Sequence, residues 1–288
     1  MGKSVVVTGA NSGIGLVTCL ELAGAGWDVI GTARSAAKTD RLHEVAETKG
    51  VTVRSVICDV DDASSCEQAF GEIAAMTEGG PWAVVNNAGF AQSGAVEDVS
   101  DDLVRAQLET NVVAPIRIAR LVLPGMRERG EGRIVNISSV AGRLSTPLMG
   151  WYCASKHALE AVTDALRMEV EADGIRVVLV EPGMFGTDIW SAAQTGGFPE
   201  PSNPRYAAAY ARGEAMSSRS HKLPDPVWVA RTVRIALSNP VPLARYVVGV
   251  DAAGGILAET LVPTALTDYL KAVGAGLKSL PVKLPFLS

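Results

Sequence analysis

The stretch Ser4-Val5-Val6-Val7-Thr8-Gly9-Ala10-Asn11-Ser12-Gly13-Ile14-Gly15 decides the fold. Val5 to Val7 are apolar in succession rather than in alternation, the pattern of a strand covered on both faces. The glycine-rich loop follows that strand directly and opens a helix. Glycines in such a place let backbone amides approach a pyrophosphate at the positive end of the helix. Their spacing is Gly-x3-Gly-x-Gly, which is neither the GxGxxG fingerprint nor, without a Lys-Ser/Thr pair, a Walker A loop. A glycine turn also closes ordinary strand-helix corners, so its meaning depends on its surroundings.

Outward from this loop, β-branched runs alternate with helical stretches to about residue 250, the rhythm of βαβ units around a parallel sheet. After the first strand, further strands are expected at Asp28 to Thr32, Val51 to Ile57, Trp82 to Asn86, Arg133 to Ser138, Ile175 to Glu181 and Arg245 to Val250. Helices are expected over Asp101 to Arg129 and Tyr152 to Ala172. In the second, Ala158, Leu159, Val162, Ala165, Leu166 and Val170 recur at helical spacing, and Gly174 supplies the stop. The pattern predicts an α/β fold, a doubly wound three-layer sandwich on a seven-stranded parallel sheet. No linker or repeat divides it, so residues 1–288 read as a single domain.

The rhythm breaks between Pro182 and Pro224, where Pro199, Pro201 and Pro204 join Gly183, Gly186, Gly196 and Gly197 around a helical piece near Tyr206 to Met216. Met184, Phe185, Ile189, Trp190, Phe198, Tyr206 and Tyr210 make this segment too apolar for a solvated linker. It reads as a substrate lid over about 183–224, with a structural excursion as the alternative. Asp225 and Pro226 then restart a helix as N-cap and first-turn proline. The C-terminal extension, about 252–288, is apolar but broken by Pro263, Pro281 and Pro285; it covers either the substrate mouth or a subunit contact.

Of the 288 residues, 20% are charged and 48% hydrophobic, which excludes disorder, collagen and coiled coil. A net charge of −5 argues against a nucleic-acid partner. The four cysteines, Cys19, Cys58, Cys66 and Cys153, are scattered without CxxC spacing behind an N-terminus that lacks a signal-like core, so a reducing cytoplasm is expected. The run free of charge from Ser4 to Leu20 is shorter than the about 20 apolar residues a spanning helix needs, and no membrane span is expected. His43, His157 and His221 form no metal pattern, so no metal site is expected.

The end of the second strand bears on which dinucleotide the loop would hold. An NAD site places a carboxylate there for the ribose hydroxyls, whereas NADP needs a cation for its 2′-phosphate. This chain reads Gly31-Thr32-Ala33-Arg34, with no carboxylate and with a planar guanidinium matched to phosphate. NADP(H) is therefore favoured over NAD(H), unless Arg34 is simply a solvated residue at a strand end.

Tyr152-Cys153-Ala154-Ser155-Lys156 opens a helix, so Tyr152 and Lys156 share one face. A free phenol, with a pKa near 10, exchanges protons poorly at neutral pH, and a neighbouring ammonium lowers that value. Reaching 7 takes about 4 kcal/mol, which one partly desolvated ammonium and the positive ring of an oxidised nicotinamide would together supply. Taken alone, such a pair is commonly a chance surface pair. The preceding segment, Ile134 to Ser139, reads as a strand ending in two hydroxyls, and Ser139 lies 13 residues before Tyr152. Ligands of open α/β sheets bind at the carboxyl ends of strands. There the two hydroxyls would meet on one carbonyl oxygen and stabilise developing alkoxide charge.

TGANSGIG, Asn86-Asn87-Ala88-Gly89, Asn111, Ser139, Tyr152-x3-Lys156 and Pro182-Gly183 together resemble, in order and spacing, the compact branch of the short-chain dehydrogenase/reductase family. The likeness covers about residues 3–250 and implies the Rossmann-type sheet already expected from the rhythm. It makes Tyr152 the general acid/base and Lys156 its pKa modifier, with a second role at the nicotinamide ribose. Ser139 would hold the substrate carbonyl, and Asn111 would anchor a water chain that relays protons from Lys156. Gly9, Ser12, Gly13, Ile14 and Gly15 would cradle the pyrophosphate, with Arg34 at the 2′-phosphate. Asp59 and Val60 resemble the adenine contact, Asn87, Ala88 and Gly89 the cofactor-side wall, and Thr187, after Pro182 and Gly183, the carboxamide contact. Ser138 is the bland neighbour of Ser139.

One departure is that some NADP-using relatives carry a basic residue where this chain has Ser12, so the NADP reading rests on Arg34. Cys153 reads as an apolar filler, His157 as a packing or surface residue, and His221 as a solvated loop residue or a substrate contact. The function implied is reduction of an apolar ketone or aldehyde, or oxidation of the alcohol, in a pocket lined by lid aromatics with Leu144, Leu148, Met149 and Trp151. A catalytically silent, dinucleotide-sensing protein is the alternative, although such relatives typically lose the tyrosine or lysine, both present here. The family's extended branch, of sugar-nucleotide epimerases and dehydratases, is longer and carries a differently spaced glycine loop. A homodimer or homotetramer through the two long helices is expected.

Overall fold

Val5 to Val7 have no exposed surface and form the middle of β1 (Ser4–Thr8), which is paired on both sides. β2 (Asp28–Ala33) lies on one side, with Val5 opposite Val29, and β4 (Ala83–Asn86) on the other, with Val5 opposite Ala83. β3 (Arg54–Ile57), β5 (Gly132–Ile137), β6 (Ile175–Pro182) and β7 (Arg245–Val248) complete a seven-stranded sheet in the order β3-β2-β1-β4-β5-β6-β7. Every pairing is parallel. This computed structural model describes residues 3–187, 189, 197–218 and 222–279. Trp190, Gly196, His221, Pro281 and Pro285 lie outside the described residues.

The two-residue period of the strands sorts their side chains into two apolar layers. On one face Val5, Val7, Val29, Val85, Val135 and Val178 pack against α1 (Gly13–Gly24) and α8 (Val227–Ser238) through Leu22, Val233 and Leu237. On the other, Val6, Ile30, Val84, Ile134 and Val177 meet Phe70 and Ile73 of α3 (Ala63–Met76) and Ile118, Val122 and Met126 of α5 (Ala114–Arg129). α2 (Ala36–Thr48) follows β2. The order in which strands are added reverses at β1, to β2 and β3 on one side and β4 onward on the other, so the carboxyl ends of β1 and β4 open a crevice between diverging loops.

The expected rod over Asp101 to Arg129 is continuous, but its middle is a π-turn. α4 (Asp101–Leu108) is capped by Ser100, the π-turn spans Glu109–Val113, and α5 runs to Gly130. The π-turn centres on Asn111 and widens the helix where it passes the crevice. α6 (Gly150–Val170) starts two residues before Tyr152, and Gly174 takes φ +74 after a short 3-10 turn. At the other restart, the N-cap is Pro226, one residue later than the sequence suggested. Asp225 acts from outside the helix, its carboxylate accepting from the Val227 amide at 2.8 Å.

The segment after β6 docks on the loop between β4 and α4. The Ala95 amide donates to Tyr210 Oη at 2.8 Å, and Tyr210 in turn donates to Asp98. Tyr206 Oη donates to Glu97 at 2.5 Å, and the Phe198 and Tyr210 rings lie 4.8 Å apart. These contacts hold α7 (Ala207–Ser217) beside the crevice. α9 (Val250–Leu261) and α10 (Thr264–Gly274) are joined by Lys271 on Glu259 at 2.6 Å. Among the described residues no helix is long and apolar enough to cross a membrane.

Candidate active site

The crevice is a cleft of about 630 Å³, and the glycine loop forms one end of it. Gly9 takes φ +65 and Gly13 φ +53, a left-handed backbone that suits residues without Cβ. Gly15 is required by contact: a Cβ there would stand 2.3 Å from Gly9 O and 2.4 Å from Asn87 Nδ2. That asparagine ties the ends of β1 and β4 together, donating to Thr8 O at 2.8 Å, while Thr8 Oγ1 accepts from the Asn87 and Ala88 amides. Ser12 is the N-cap of α1 yet makes no side-chain cap bond, and the first turn of α1 holds no acidic residue. Uncapped amides at a helix start, approached through glycines, fit a pyrophosphate.

The Gly15→Ala variant is accordingly expected to lose at least about tenfold in dinucleotide affinity and about 2 kcal/mol of stability. Fluorescence titration with NADPH and a thermal melt check both values. Unchanged affinity would show that the loop is not the cradle.

At the tip of β2, Arg34 lines the cleft, and so does Lys38, one turn on at the start of α2. Val60 lines the wall beyond, together with Cys58 and Asp61. Asp59 stands behind it, accepting from the Asp61 amide at 3.2 Å, with its own amide on Ser65. Enclosure by the cleft pushes the Asp61 carboxyl above its usual range, and the Thr110 hydroxyl opposes the shift.

At the other end of the cleft, Tyr152 and Lys156 project from one face of α6, 3% and 5% exposed, with the ammonium 5.9 Å from the phenol ring centre. Lys156 Nζ donates to Ile137 O at 2.9 Å, at the end of β5. Ser139 is hydrogen-bonded to the Tyr152 phenol, and its Oγ accepts from the Ala141 amide at 3.1 Å. Burial pushes Tyr152 up to about 12, with Ser139 opposing, and pulls Lys156 down to about 8, with Glu160 opposing. Desolvation is the largest influence on the phenol, above the hydrogen bond with Ser139.

Asn87, Ala88, Gly89, Pro182, Gly183 and Thr187 also line the cleft. Asn111 and Gly15 do not. Asn111 instead fixes the wall from behind. Its Oδ1 accepts from the Phe90 amide at 3.1 Å, and its Nδ2 donates to Phe90 O at 2.9 Å and to Ser155 Oγ at 3.0 Å. Gly183 abuts Asp251, whose carboxylate accepts from the Met184 amide at 2.7 Å. The first turn of α9 thereby braces the start of the segment after β6, a contact that 67 residues of sequence separation concealed.

The apolar lining differs from the one expected. Phe185 and Ile189 line the cleft, as do Phe90 and Ile137, which the sequence reading passed over. Phe198, Tyr206 and Tyr210 are spent on docking the segment after β6 against the loop between β4 and α4. Leu144, Leu148, Met149 and Trp151 are not on the cleft wall; Trp151 donates to Val96 O at 3.2 Å, and Leu144 packs at Gly255 of α9. Cys153 is buried as expected of a filler, and all four cysteines are free and buried.

Comparisons with known proteins agree with this geometry. The short chain dehydrogenase family model matches residues 3–196. The chain is 35% identical over 271 residues to the uncharacterized oxidoreductase YbbO of Escherichia coli (strain K12), covering 94% of each chain. It is 33% identical over 274 residues to an NADPH-dependent 3-dehydrocapnine reductase of Ornithobacterium rhinotracheale, covering 93% of this chain and 95% of that one. A short-chain dehydrogenase from Streptomyces avermitilis superposes with a TM-score of 0.79 at 32% identity, over 96% of this chain and 98% of that one. With the parallel sheet and the tyrosine-lysine cleft, these matches show that the chain belongs to the short-chain dehydrogenase/reductase family of NAD(P)-binding oxidoreductases.

Proposed function

We propose that the protein is an NADPH-dependent reductase of apolar, lipid-like ketones or aldehydes. The observation that carries this reading is a buried Tyr152 beside Ser139 at the apolar end of a cleft whose other end holds two cations. The relative from Ornithobacterium rhinotracheale is an NADPH-dependent 3-dehydrocapnine reductase, which supports reduction with NADPH.

Arg34 and Lys38 would hold the 2′-phosphate, the amides of the glycine loop and Ser12 the pyrophosphate, and Val60 with Asp61 the adenine side. When bound, NADPH supplies the hydride, from C4 of its nicotinamide to the carbonyl carbon. Tyr152 Oη gives its proton to the carbonyl oxygen as that carbon becomes tetrahedral, and Ser139 Oγ shares the developing charge. With its value near 12, Tyr152 stays protonated across neutral pH, the state a reductase needs. The Lys156 ammonium offsets the phenolate left behind. Its proton is replaced along a path anchored at Asn111, whose side chain keeps Phe90 and Ser155 in place.

Arg34→Ala combined with Lys38→Ala is expected to raise KM for NADPH at least about tenfold and to leave KM for NADH within about twofold. Steady-state kinetics with both cofactors tests this, and equal loss with NADH would remove the phosphate assignment. The catalytically silent alternative is disfavoured by the two catalytic side chains standing together in the cleft.

A homo-oligomer remains part of the proposal, with a shifted contact. The long helices expose Leu103, Val113 and Met168 among their larger apolar side chains, whereas Trp228 and Ile235 of α8, Val241 and Leu243 of the loop after it, and Val247 of the edge strand β7 are exposed. An unpaired edge flanked by apolar side chains suits self-association.

A further inference from the structure

A cluster of buried charge continues from the catalytic lysine away along α6. Glu160 stands one helical turn beyond Lys156 and is 5% exposed, and Glu181 of β6 is fully buried. Arg245 of β7 bridges them, its Nε lying 3.1 Å from Glu160 Oε2 and 3.1 Å from Glu181 Oε1. Arg143, in the turn after β5, reaches both Glu181 oxygens at 3.4 Å. Arg245 also pairs with Asp164, which holds Arg167 at 2.7 Å.

One oxygen of Glu160 is uncommitted among the described residues. Glu160 Oε1 is buried without a hydrogen-bond partner, and so is Ser138 Oγ. Both approach one point beside Gly142, lying 3.2 and 2.9 Å from where a Cβ of that residue would stand. Ser138 follows Ile137, whose carbonyl receives the Lys156 ammonium. The unpaired carboxylate oxygen is thus directed at the same end of β5 that anchors the lysine.

We infer that Glu160 is a positioning residue whose carboxylate keeps Lys156 in its ammonium form. The inference rests on Lys156 supporting Tyr152 as proposed above. Burial alone disfavours the ammonium, and Glu160 is the charged group that opposes it. With the lysine near 8, that opposition decides whether the charge persists at neutral pH. The other charged groups near Glu160 are Asp164 on its own helix, Glu181 on β6, Arg143 before α6 and Arg245 on β7. On the elements packed against α6 from the other side, Glu109 is taken by Arg117, and Asp101 and Asp102 by Arg105. Arg245 holds Glu160 by Oε2, a charge-assisted bond suited to a carboxylate, and leaves Oε1 to act on the lysine.

The test is a pH titration of the full chain labelled with 13Cε-lysine, the Lys156 resonance being assigned by its absence in Lys156→Met. Glu160→Gln is expected to lower the Lys156 midpoint by about one pH unit, a tenfold change in proton affinity. Glu160→Met, a second neutral variant of similar volume, gives the same drop, and Glu160→Asp, which keeps the charge, less than half of it. In NADPH turnover the alkaline limb of kcat moves down by the same interval in the neutral variants. An unchanged midpoint in the neutral variants, or an equal drop in all three, overturns the inference. Absence of carbonyl turnover in the wild type would instead count against the proposed function, and the resonance would still decide the role of Glu160.

Discussion

Tyr152→Phe is expected to lower kcat for carbonyl reduction by about a thousandfold while leaving NADPH affinity within about threefold. The substitution removes one oxygen from a side chain that is 3% exposed and keeps the ring that packs in the cleft. What disappears is the proton donor and the partner of Ser139. Ser139 Oγ stays in place on the Ala141 amide at 3.1 Å, so a residual rate from its single donor is expected. Ser139→Ala is the milder change, because the phenol still delivers the proton. Single-turnover mixing with NADPH, beside a fluorescence titration of cofactor binding, separates chemistry from binding. Activity within about fivefold of wild type would remove Tyr152 as the acid.

Lys156→Met is expected to abolish turnover and to stabilise the fold, two effects of opposite sign from one buried charge. Lys156 has its ordinary value of 10.5 when unfolded and about 8 when folded. Between those values the unfolded chain binds the proton and the folded one does not, so stability rises with pH through that window. Below about 8 both states are protonated and the full cost of the buried ammonium is present, about 3 kcal/mol at 1.36 kcal/mol per unit. Methionine removes that cost but deserts Ile137 O, which gives back about 1 kcal/mol. The net gain at pH 7 is about 2 kcal/mol, or about 3 °C in Tm. At pH 10.5 the gain disappears, because the wild-type lysine is then neutral in the fold. Thermal melts without cofactor at the two pH values check this, and a variant less stable than wild type at pH 7 would contradict it.

The sheet was legible in the sequence because its signal is local. Burial of both faces writes an unbroken apolar run, as at Val5 to Val7 and Val177 to Val180, and the helices between the strands carry their own period. Strand ends shifted by a few residues, most at β3, which begins at Arg54 rather than Val51. The gathering of Tyr152, Lys156 and Ser139 in one cleft was legible for a related reason. Tyr152 and Lys156 sit on one helix, and Ser139 follows a strand whose end must face the crevice. Lys38 was missed because its closeness to Arg34 depends on where α2 begins, at Ala36, which Ser35 marks without making a side-chain cap bond. Phe198, Tyr206 and Tyr210 were misread as pocket lining, whereas Phe185 does line the cleft, because composition reports that a segment is apolar, not what it packs against. Glu160 and Glu181 were invisible as a pair. Only the order β5-β6-β7, with α6 across it, brings residues so distant in sequence under one arginine.

The most direct test of the central claim, that this cleft reduces carbonyls with NADPH, is the loss of absorbance at the reduced nicotinamide band. Purified protein would be mixed with aliphatic aldehydes and ketones of graded chain length, with NADPH and NADH run in parallel. The expected result is consumption that increases with chain length and is faster with NADPH. Binding of NADPH without its consumption by any carbonyl would contradict it and leave a dinucleotide sensor as the better reading.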